Sequence, residues 1–203
     1  MNGQEFTKKQ RHYLRFKRVL DIFVTFFAII ILTPFLFLIG LLVVCTSKGP
    51  VFFRQKRVGK DKKIFRILKF RTMKADAPEI PPSNLTKEQQ RAMLTKFGAF
   101  LRKTSIDELP QIFNIFVGQM SVIGPRPAAA KNEDDIIDER DKHSPSPNSL
   151  RPGLSGYAQT HGRNHEVQQK AELDAYYAKN ISFALDVKIF FLTIRKLFLF
   201  EGS

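Results

Sequence analysis

The chain has 203 residues, 43% of them hydrophobic, which is enough for one domain with a hydrophobic core but too few for two of ordinary size. Lys and Arg number 33 against 19 Asp and Glu, so the net charge is +14 and favours an anionic partner: nucleic acid, acidic lipid headgroups or a phosphorylated substrate. The single cysteine, Cys45, excludes a disulfide framework and a Cys-based zinc site, and it fits a reducing cytoplasmic setting.

A long hydrophobic segment follows the basic N-terminus. From Ile22 to Cys45 the sequence is almost uninterruptedly apolar. At a rise of roughly 1.5 Å per residue, a helix of this length exceeds the ~30 Å thickness of the bilayer hydrocarbon. A secretory signal peptide is disfavoured because the segment is longer than a signal core and no small-residue cleavage site follows before Pro50. We therefore predict a membrane segment within residues 1–47 and a single domain over residues 48–203.

Both flanks of this segment are basic, which removes the charge asymmetry that usually orients a spanning helix. Thr33-Pro34 lies near the middle, where proline removes a backbone donor and threonine can bond back to the preceding turn. These features favour a re-entrant hairpin, broken at Thr33-Pro34, that enters and leaves by the same leaflet. A spanning helix stays open as an alternative, because such helices tolerate proline.

Two basic segments come next, at residues 50–59 and 63–71, and together they predict a β-hairpin or two short strands. We interpret most of their cations as a face that lies on anionic lipid, with Lys69 and Arg71 as the exceptions. Ala75 to Leu85 is rich in proline and acid and predicts a loop. Thr86 to Lys103 follows a helical period and predicts one helix.

An adjacent acidic pair, Asp107 and Glu108, is the most informative feature of the sequence. Ser105 and Glu108 match a capping box, which would place both acids in the first turn of a helix, although Pro110 leaves that start uncertain by a few residues. The pair could simply complement the helix dipole. In so basic a chain, adjacent carboxylates could also hold a divalent cation and offer one oxygen to attack phosphorus.

Further arginines lie in turn-like contexts. Arg126 stands between two prolines, which predicts a rigid turn that would hold its guanidinium for bidentate phosphate binding. Arg151 and Arg163 belong to a glycine-rich region. The final stretch from Ile181 to Phe200 is too polar for a membrane span and predicts an amphipathic helix in the membrane interface. The sequence has no GxxxxGK[ST] phosphate loop, no GxGxxG and no GxSxG elbow.

These motifs, in this order, resemble the bacterial sugar transferase family, the monotopic phosphoglycosyl transferases that begin polyprenol-linked glycans. The resemblance runs from about Arg15 to Phe198 and is closest to the small members, including the transferase that initiates bacterial N-linked protein glycosylation. The matching segments after the hydrophobic helix are Lys69-Phe-Arg-Thr-Met73, Ser105-Ile-Asp-Glu-Leu-Pro-Gln111, Gly124-Pro-Arg-Pro127, Arg151-Pro-Gly-Leu-Ser-Gly156 and Gly162-Arg-Asn164.

The resemblance implies an α+β fold: a mainly helical, membrane-associated domain with a short β-hairpin or small sheet, a re-entrant N-terminal helix and a C-terminal interfacial helix. The family breaks its membrane helix at a Ser-Pro pair, matched here by Thr33-Pro34. The catalytic domain, residues 48–203, would lie on the cytoplasmic face of the bacterial inner membrane, against an anionic phospholipid bilayer.

For the chemistry, the resemblance implies that Asp107 attacks the β-phosphate of a UDP-sugar, releases UMP and carries the phosphosugar until polyprenol (undecaprenyl) phosphate accepts it. Glu108 is the partner carboxylate, and Mg²⁺, held by Asp107 and Glu108, offsets the charge of the diphosphate. The expected substrate-binding cations are Lys69, Arg102, Arg126, Arg151 and Arg163.

The alternative from another class is a membrane-tethered basic scaffold or a nucleic-acid-binding module without catalysis. The sequence carries no recognised nucleic-acid motif, so we expect no nucleic-acid partner. Which sugar is transferred stays open among UDP-diNAcBac, N-acetylhexosamines and hexoses.

Overall fold

A computed structural model describes residues 6–74, 77, 86–131, 133–162 and 166–198 of the chain. The predicted loop at Ala75 to Leu85 lies almost entirely outside the described residues, as does Arg163. The helices are α1 (Lys8–Thr46), α2 (Lys87–Ala92), α3 (Lys96–Lys103), α4 (Gln111–Phe116), α5 (Asp134–Asp141), α6 (Tyr157–Thr160), α7 (Val167–Lys179) and α8 (Phe183–Phe198). The strands are β1 (Phe52–Val58), β2 (Ile64–Phe70), β3 (Ser121–Ile123) and β4 (Gly153–Ser155). Short 3₁₀ turns occupy Lys60–Lys62, Ile106–Glu108 and Pro147–Ser149.

The predicted β-hairpin is confirmed. Strands β1 and β2 pair antiparallel, with Phe52 opposite Phe70 and Val58 opposite Ile64. The alternation of β2 buries Phe65 and Ile67 on one face of the hairpin, whereas Phe70 is buried from the opposite face, in the cluster that includes α1. A second, parallel pair joins β3 to β4. The mainly helical architecture with small sheets agrees with the expected α+β class.

The expected break at Thr33-Pro34 is wrong as a helix end, because α1 runs through it without interruption. The Thr33 hydroxyl donates to the carbonyl of Ile29 at 2.6 Å, and Pro34 removes only one backbone donor from a helix of 39 residues. The turns on both sides are fixed by packing, which compensates for this local loss. Among the described residues, α1 is the one helix long and apolar enough to cross a membrane by length and composition.

The second half of α1 shares a hydrophobic core with the rest of the chain. Leu36, Ile39 and Val43 are buried on one side of the helix and pack in a single cluster with residues of β2, α3 and α4. The opposite side is apolar yet exposed: Ile31 is 72% and Phe37 71% exposed. Because one face is buried in protein and the other is hydrophobic, the exposed face is a candidate for contact with lipid. The domain boundary predicted at residue 47 stays a prediction.

The first half of α1 is held by buried polar contacts instead. Asp186 of α8 accepts a hydrogen bond from the hydroxyl of Tyr13 at 2.5 Å and forms an ion pair with Lys17. Asp21 accepts from the hydroxyl of Ser121 at 2.7 Å and from a backbone amide of β3. Buried charges are retained only when they are paired or hydrogen-bonded in this way.

The single helix predicted for Thr86 to Lys103 is wrong. The chain forms α2 and α3 with a break between them, at which the Thr95 hydroxyl accepts a hydrogen bond from the amide of Gly98 at 2.8 Å. Threonine favours this N-cap role over a helix interior because its hydroxyl competes for backbone groups. A Cβ at Gly98 would lie 2.0 Å from the carbonyl oxygen of Thr72, so the start of α3 is pressed against the end of the hairpin.

The C-terminal helix α8 is amphipathic, as predicted. Ile189 is fully buried, whereas four apolar residues on the other side are at least one third exposed: Phe183, Val187, Phe190 and Phe191. The Phe183 ring contacts Phe16 of α1 with centroids 6.4 Å apart. The apolar surfaces of the two helices therefore adjoin, and the interfacial placement of α8 stays a prediction.

Candidate active site

The two acids lie in the 3₁₀ turn between α3 and α4. The predicted capping box is wrong, because Ser105 takes a left-handed conformation with φ +56° and its side chain caps nothing. The turn is closed instead by the backbone bond from the amide of Glu108 to the carbonyl of Ser105, at 3.2 Å. Pro110 then starts α4. Both acids therefore lie in a helical turn, as predicted, but it is a 3₁₀ turn rather than the first turn of an α-helix.

Glu108 is paired with a lysine from the hairpin. Lys69 Nζ lies 2.6 Å from Glu108 Oε1. Burial alone would raise the pKa of Glu108, but the attraction of Lys69 and Arg126 and the hydrogen bonds from Lys69 and Gln111 outweigh it and hold the pKa below its usual value. Glu108 is therefore ionised throughout the physiological pH range.

Asp107 has a different environment. It is 7% exposed, and burial raises its pKa to about 6, with Lys69 and Arg102 opposing the shift and the neighbouring charge of Glu108 adding to it. Two adjacent carboxylates thus have pKa values displaced in opposite directions, a pattern that marks functional pairs. With this pKa, Asp107 remains mostly ionised at neutral pH although it is poorly solvated.

Three of the five predicted cations lie near the acid pair. Besides Lys69, the Arg102 guanidinium lowers the pKa of Asp107 while its Nε donates to the hydroxyl of Thr72 at 2.9 Å. Arg126 lowers the pKa of Glu108. It lines a pocket that also contains Lys69 and Glu108, and we call this the acid-pair pocket. Its lining residues are Arg57, Ile67, Lys69, Glu108, Gln111, Arg126, Pro127, Gly153, Leu154 and Gln159.

Arg151 is not brought to this pocket. Its Nε donates to the carbonyl of Gly118 at 2.9 Å, and it lines a separate cleft that also includes Lys17 and Arg18. Arg18 donates to the carbonyls of Ile115 and Phe116, so both arginines lie against the C-terminal end of α4, opposite to the acid pair. A substrate role for Arg151 stays a prediction, and Arg163 lies outside the described residues.

Sequence reasoning missed three residues of the acid-pair pocket: Arg57, Gln111 and Gln159. Arg57 was interpreted as a surface cation, yet its guanidinium donates to the carbonyl of Pro127 at 3.1 Å, and burial lowers its pKa. The alternation of side chains along the hairpin strands could have indicated that Arg57 lies beside the acid pair. Arg57 is opposite Phe65 in the hairpin, two pairs from Ile67 and four from Lys69, so Arg57 and Lys69 project from the same face.

The acid pair fits one kind of metal. Within the described residues, no group of three or more His, Cys, Asp or Glu could hold an ion. Mg²⁺ is usually bound by one or two carboxylates together with waters and substrate phosphates rather than by a protein cage. Asp107 and Glu108 therefore suit a Mg²⁺ ion whose coordination a diphosphate completes.

Comparison with known proteins gives consistent matches over nearly the whole chain. The family model described as bacterial sugar transferase matches residues 12–200. A protein of Klebsiella pneumoniae named UDP-glucose:undecaprenyl-phosphate glucose-1-phosphate transferase is 40% identical over 198 residues, which cover 93% of this chain and 41% of that protein. The exopolysaccharide production protein PSS of Rhizobium leguminosarum bv. phaseoli is 35% identical over 191 residues, 88% of this chain and 92% of that protein.

A third relative acts on a different sugar. The UDP-N-acetylgalactosamine-undecaprenyl-phosphate N-acetylgalactosaminephosphotransferase of Aeromonas hydrophila is 40% identical over 190 residues, 90% of this chain and 44% of that protein. The chain therefore spans about two fifths of the length of the Klebsiella and Aeromonas proteins and nearly all of the Rhizobium protein.

Proposed function

The chain belongs to the bacterial sugar transferase family, and from that premise we propose that it transfers a phosphosugar from a UDP-sugar to undecaprenyl phosphate through a covalent intermediate on Asp107. This would be the first membrane step in the assembly of a glycoconjugate. The observation that carries the proposal is the division of the acid pair: Glu108 is held ionised by Lys69, while the adjacent Asp107 is buried with a pKa of about 6.

In the first half-reaction, a carboxylate oxygen of Asp107 attacks the β-phosphorus of the UDP-sugar. The bond between that phosphorus and the bridging oxygen breaks, and UMP leaves with the electron pair. An anion attacking an anionic diphosphate needs positive charge nearby. Lys69, Arg102 and Arg126 supply it: Lys69 lowers the pKa of both acids, Arg102 that of Asp107 and Arg126 that of Glu108.

In the second half-reaction, a phosphate oxygen of undecaprenyl phosphate attacks the phosphorus of the aspartyl phosphosugar. The bond from Asp107 to phosphorus breaks, so the carboxylate is restored and the lipid carries a diphosphosugar. A covalent intermediate divides one difficult transfer into two easier displacements. It also allows a soluble donor and a lipid acceptor to use the same carboxylate in turn.

Asp107 and Glu108 are the residues that would hold Mg²⁺. The ion, when bound, supplies charge neutralisation of the diphosphate. Lys69 bonds to Oε1 of Glu108 and Gln111 donates a further hydrogen bond to the same carboxylate, so these two side chains would orient Glu108 towards the ion.

The packing of α1 supports attachment to one leaflet. At the N-terminal end, the side-chain amide of Gln10 donates to the carbonyl of Lys179 at 2.8 Å; at the C-terminal end, Arg71 donates to the carbonyl of Ser47. Both ends of α1 thus contact the same folded body. Since a bilayer has a hydrocarbon core of ~30 Å, a body on one side could not contact both ends of a spanning helix. We therefore propose a monotopic enzyme on the cytoplasmic face of the inner membrane.

The topology has a direct test. In a Cys45→Ser background, a cysteine placed at Lys8 and another at Lys48 should both react with a membrane-impermeant thiol reagent only after the cells are opened. Labelling of one of the two positions in intact spheroplasts would show a spanning helix and contradict the monotopic arrangement.

The activity is tested by UMP release. The protein in lipid nanodiscs with Mg²⁺ and undecaprenyl phosphate should release UMP from at least one member of a panel of UDP-glucose, UDP-galactose, UDP-N-acetylgalactosamine and UDP-diNAcBac. Asp107→Asn should abolish the release. Asp61→Asn, which changes an exposed acid at the tip of the hairpin, is the matched control and should retain full activity. Full activity of Asp107→Asn would contradict the proposal.

A further inference from the structure

Two buried polar atoms of the acid-pair pocket have no hydrogen-bond partner within the part of the chain that the structure describes. They are Oε1 of Gln159 and Nε of Arg57, and both residues line the pocket together with Lys69, Glu108 and Arg126. Buried polar atoms almost always have a partner, so each exception calls for an explanation. Gln159 Oε1 is an acceptor, and Arg57 Nε–H is a donor. A ligand that satisfies both would have to offer a donor to the first and an acceptor to the second.

The short helix that carries Gln159 is fixed by contacts with α7 and α8. Gln159 belongs to α6, whose Tyr157 ring stacks on Tyr176 of α7 with centroids 4.8 Å apart. Lys196 of α8 donates to the backbone carbonyl of Gln159 at 3.2 Å. A Cβ at Gly156 would lie 2.5 Å from Gln159 Oε1. The glycine therefore leaves the space that the carboxamide occupies.

The direction of phosphoryl transfer indicates which part of a UDP-sugar lies here. Attacking and leaving oxygens are roughly in line through phosphorus, so UMP lies on the side of phosphorus away from Asp107. Glu108 lines the acid-pair pocket, whereas Asp107 is not among its lining residues. This pocket therefore suits the UMP portion of the donor, and its apolar side chains, Ile67, Pro127 and Leu154, suit the faces of a base.

We propose that Gln159 recognises the uracil base of the donor and that Arg57 binds the nucleotide phosphate. This inference rests on the proposed function, because it takes the donor to be a UDP-sugar. A carboxamide has an acceptor oxygen beside two N–H donors. The imide edge of uracil has the complementary order, an N3–H beside a carbonyl oxygen. Cytosine presents the reverse order, an acceptor at N3 beside an amino group, so in the orientation that places Oε1 of Gln159 beside Gly156 its N3 lone pair would face the carboxamide oxygen.

The positive charge of Arg57 supports the second part of the proposal. Its guanidinium is already oriented by the carbonyl of Pro127 and the side chain of Gln55, and it stays protonated at physiological pH despite a pKa lowered by burial. Nε is the donor that these contacts leave without a partner. A phosphate oxygen is the strongest acceptor that a UDP-sugar offers.

The test is the ratio of UMP to CMP affinity, measured by titration calorimetry on the protein in nanodiscs. A site built to hydrogen-bond one group discriminates strongly against an analogue that lacks it. Wild type should bind UMP more tightly than CMP by about tenfold or more. Gln159→Leu and the isosteric Gln159→Glu should both bring the ratio close to one by weakening UMP binding. Gln159→Leu removes every polar atom of the side chain, whereas Gln159→Glu keeps its shape and replaces the N–H donors by an acceptor. If one variant misfolds, the other still tests the contact.

Two further variants separate base recognition from general effects. Arg57→Gln should weaken UMP and CMP by a similar factor, about tenfold, and leave their ratio unchanged, because the phosphate is common to both. Gln168→Leu, at an exposed position of α7, is the matched control and should change neither affinity. Thermal unfolding of each variant verifies that the fold is intact.

The outcomes are distinguishable from a failure of the proposed function. If Gln159→Leu and Gln159→Glu keep the wild-type ratio, the role of Gln159 is wrong although UMP release still stands. A changed preference among UDP-sugars with an unchanged UMP to CMP ratio would place the carboxamide against the sugar and also overturn the inference. If wild type neither binds UMP nor releases it from a UDP-sugar, the proposed function itself fails.

Discussion

Lys69 Nζ contacts Glu108 Oε1 at 2.6 Å, and this contact joins the β-hairpin to the 3₁₀ turn that carries the acid pair. The lysine is hydrogen-bonded to Glu108, and its charge opposes the rise in the pKa of Asp107 without cancelling it. Asp107 consequently keeps a charge that is buried and incompletely compensated, with a pKa of about 6. The two acids can therefore have separate roles: Glu108 as a fixed anion for the metal, and Asp107 as the group that reacts.

Replacing Lys69 by Met should lower activity by at least about tenfold and shift its pH dependence. Lys69 opposes the rise in the pKa of Asp107, so its removal raises that pKa further, and the acidic limb of the kcat/KM profile should move to higher pH. Steady-state UMP release between pH 5 and 9 measures this. Lys63→Met, an exposed hairpin cation, is the control; an unshifted limb in Lys69→Met would refute the electrostatic role.

Activity of the wild type should depend on the ionisation of Asp107. Because its pKa is about 6 and the attacking form is the carboxylate, kcat/KM should rise with pH through about 6 and level off above it. Mg²⁺ favours the carboxylate, so lowering its concentration should move the limb upward. A profile that is flat between pH 5 and 8 at saturating acceptor would be inconsistent with a titrating nucleophile at this position.

Removing the charge at Asp107 should stabilise the protein. The folded-state pKa of about 6 lies above the ordinary value of 3.8, so ionisation is less favourable in the folded state and stability is lost as pH rises through 6. The difference lowers the free energy of unfolding at neutral pH by on the order of 3 kcal/mol. Asp107→Asn should raise Tm at pH 7.5 by roughly 6 to 12 °C. The gain should disappear near pH 4, where both side chains are neutral; an equal gain at both pH values would assign it to another cause.

The contacts of Asp186 should be essential for holding α1. Asp186 accepts hydrogen bonds from Tyr13 and Tyr177 and pairs with Lys17. Asp186→Ala leaves Lys17 buried without its counter-ion, which should cost on the order of 3 kcal/mol. Thermal unfolding and protease cleavage in the first half of α1 measure the loss. Asp61→Asn, at an exposed ion pair and with a residue that tolerates the left-handed backbone there, should change neither. An unaltered Tm for Asp186→Ala would show that α1 is held mainly by its apolar contacts.

The regular elements could be predicted from sequence because their signals are periodic. The hairpin, the amphipathic α8 and the length of α1 follow from alternation and hydropathy, and the acid pair followed from charge context. The errors occur where one backbone position decides the outcome. Thr95 caps a new helix, and Ser105 takes a left-handed conformation. In α1, packing of both flanks carries the helix past Pro34.

The sequence also could not predict which arginines the fold brings to the acid pair. Arg57 stands among other cations in the sequence and Arg151 in a proline- and glycine-rich segment, yet it is Arg57 that lines the acid-pair pocket. Arg151 lies against carbonyls at the end of α4. A guanidinium can donate to phosphate, carboxylate or carbonyl oxygen, so its residue type does not identify its partner. The strand period could have indicated the face of Arg57, although we interpreted it as a surface cation, whereas no local pattern places Arg151.

The central claim is a covalent phosphosugar on Asp107, and the most direct measurement is mass spectrometry of the protein quenched with acid after it has met a UDP-sugar and Mg²⁺ without acceptor lipid. We expect one phosphosugar added to the peptide that contains Asp107, one UMP released per enzyme, loss of the adduct on adding undecaprenyl phosphate, and no adduct in Asp107→Asn. UMP release that begins only when acceptor is present, or an adduct on Glu108 instead, would contradict the account.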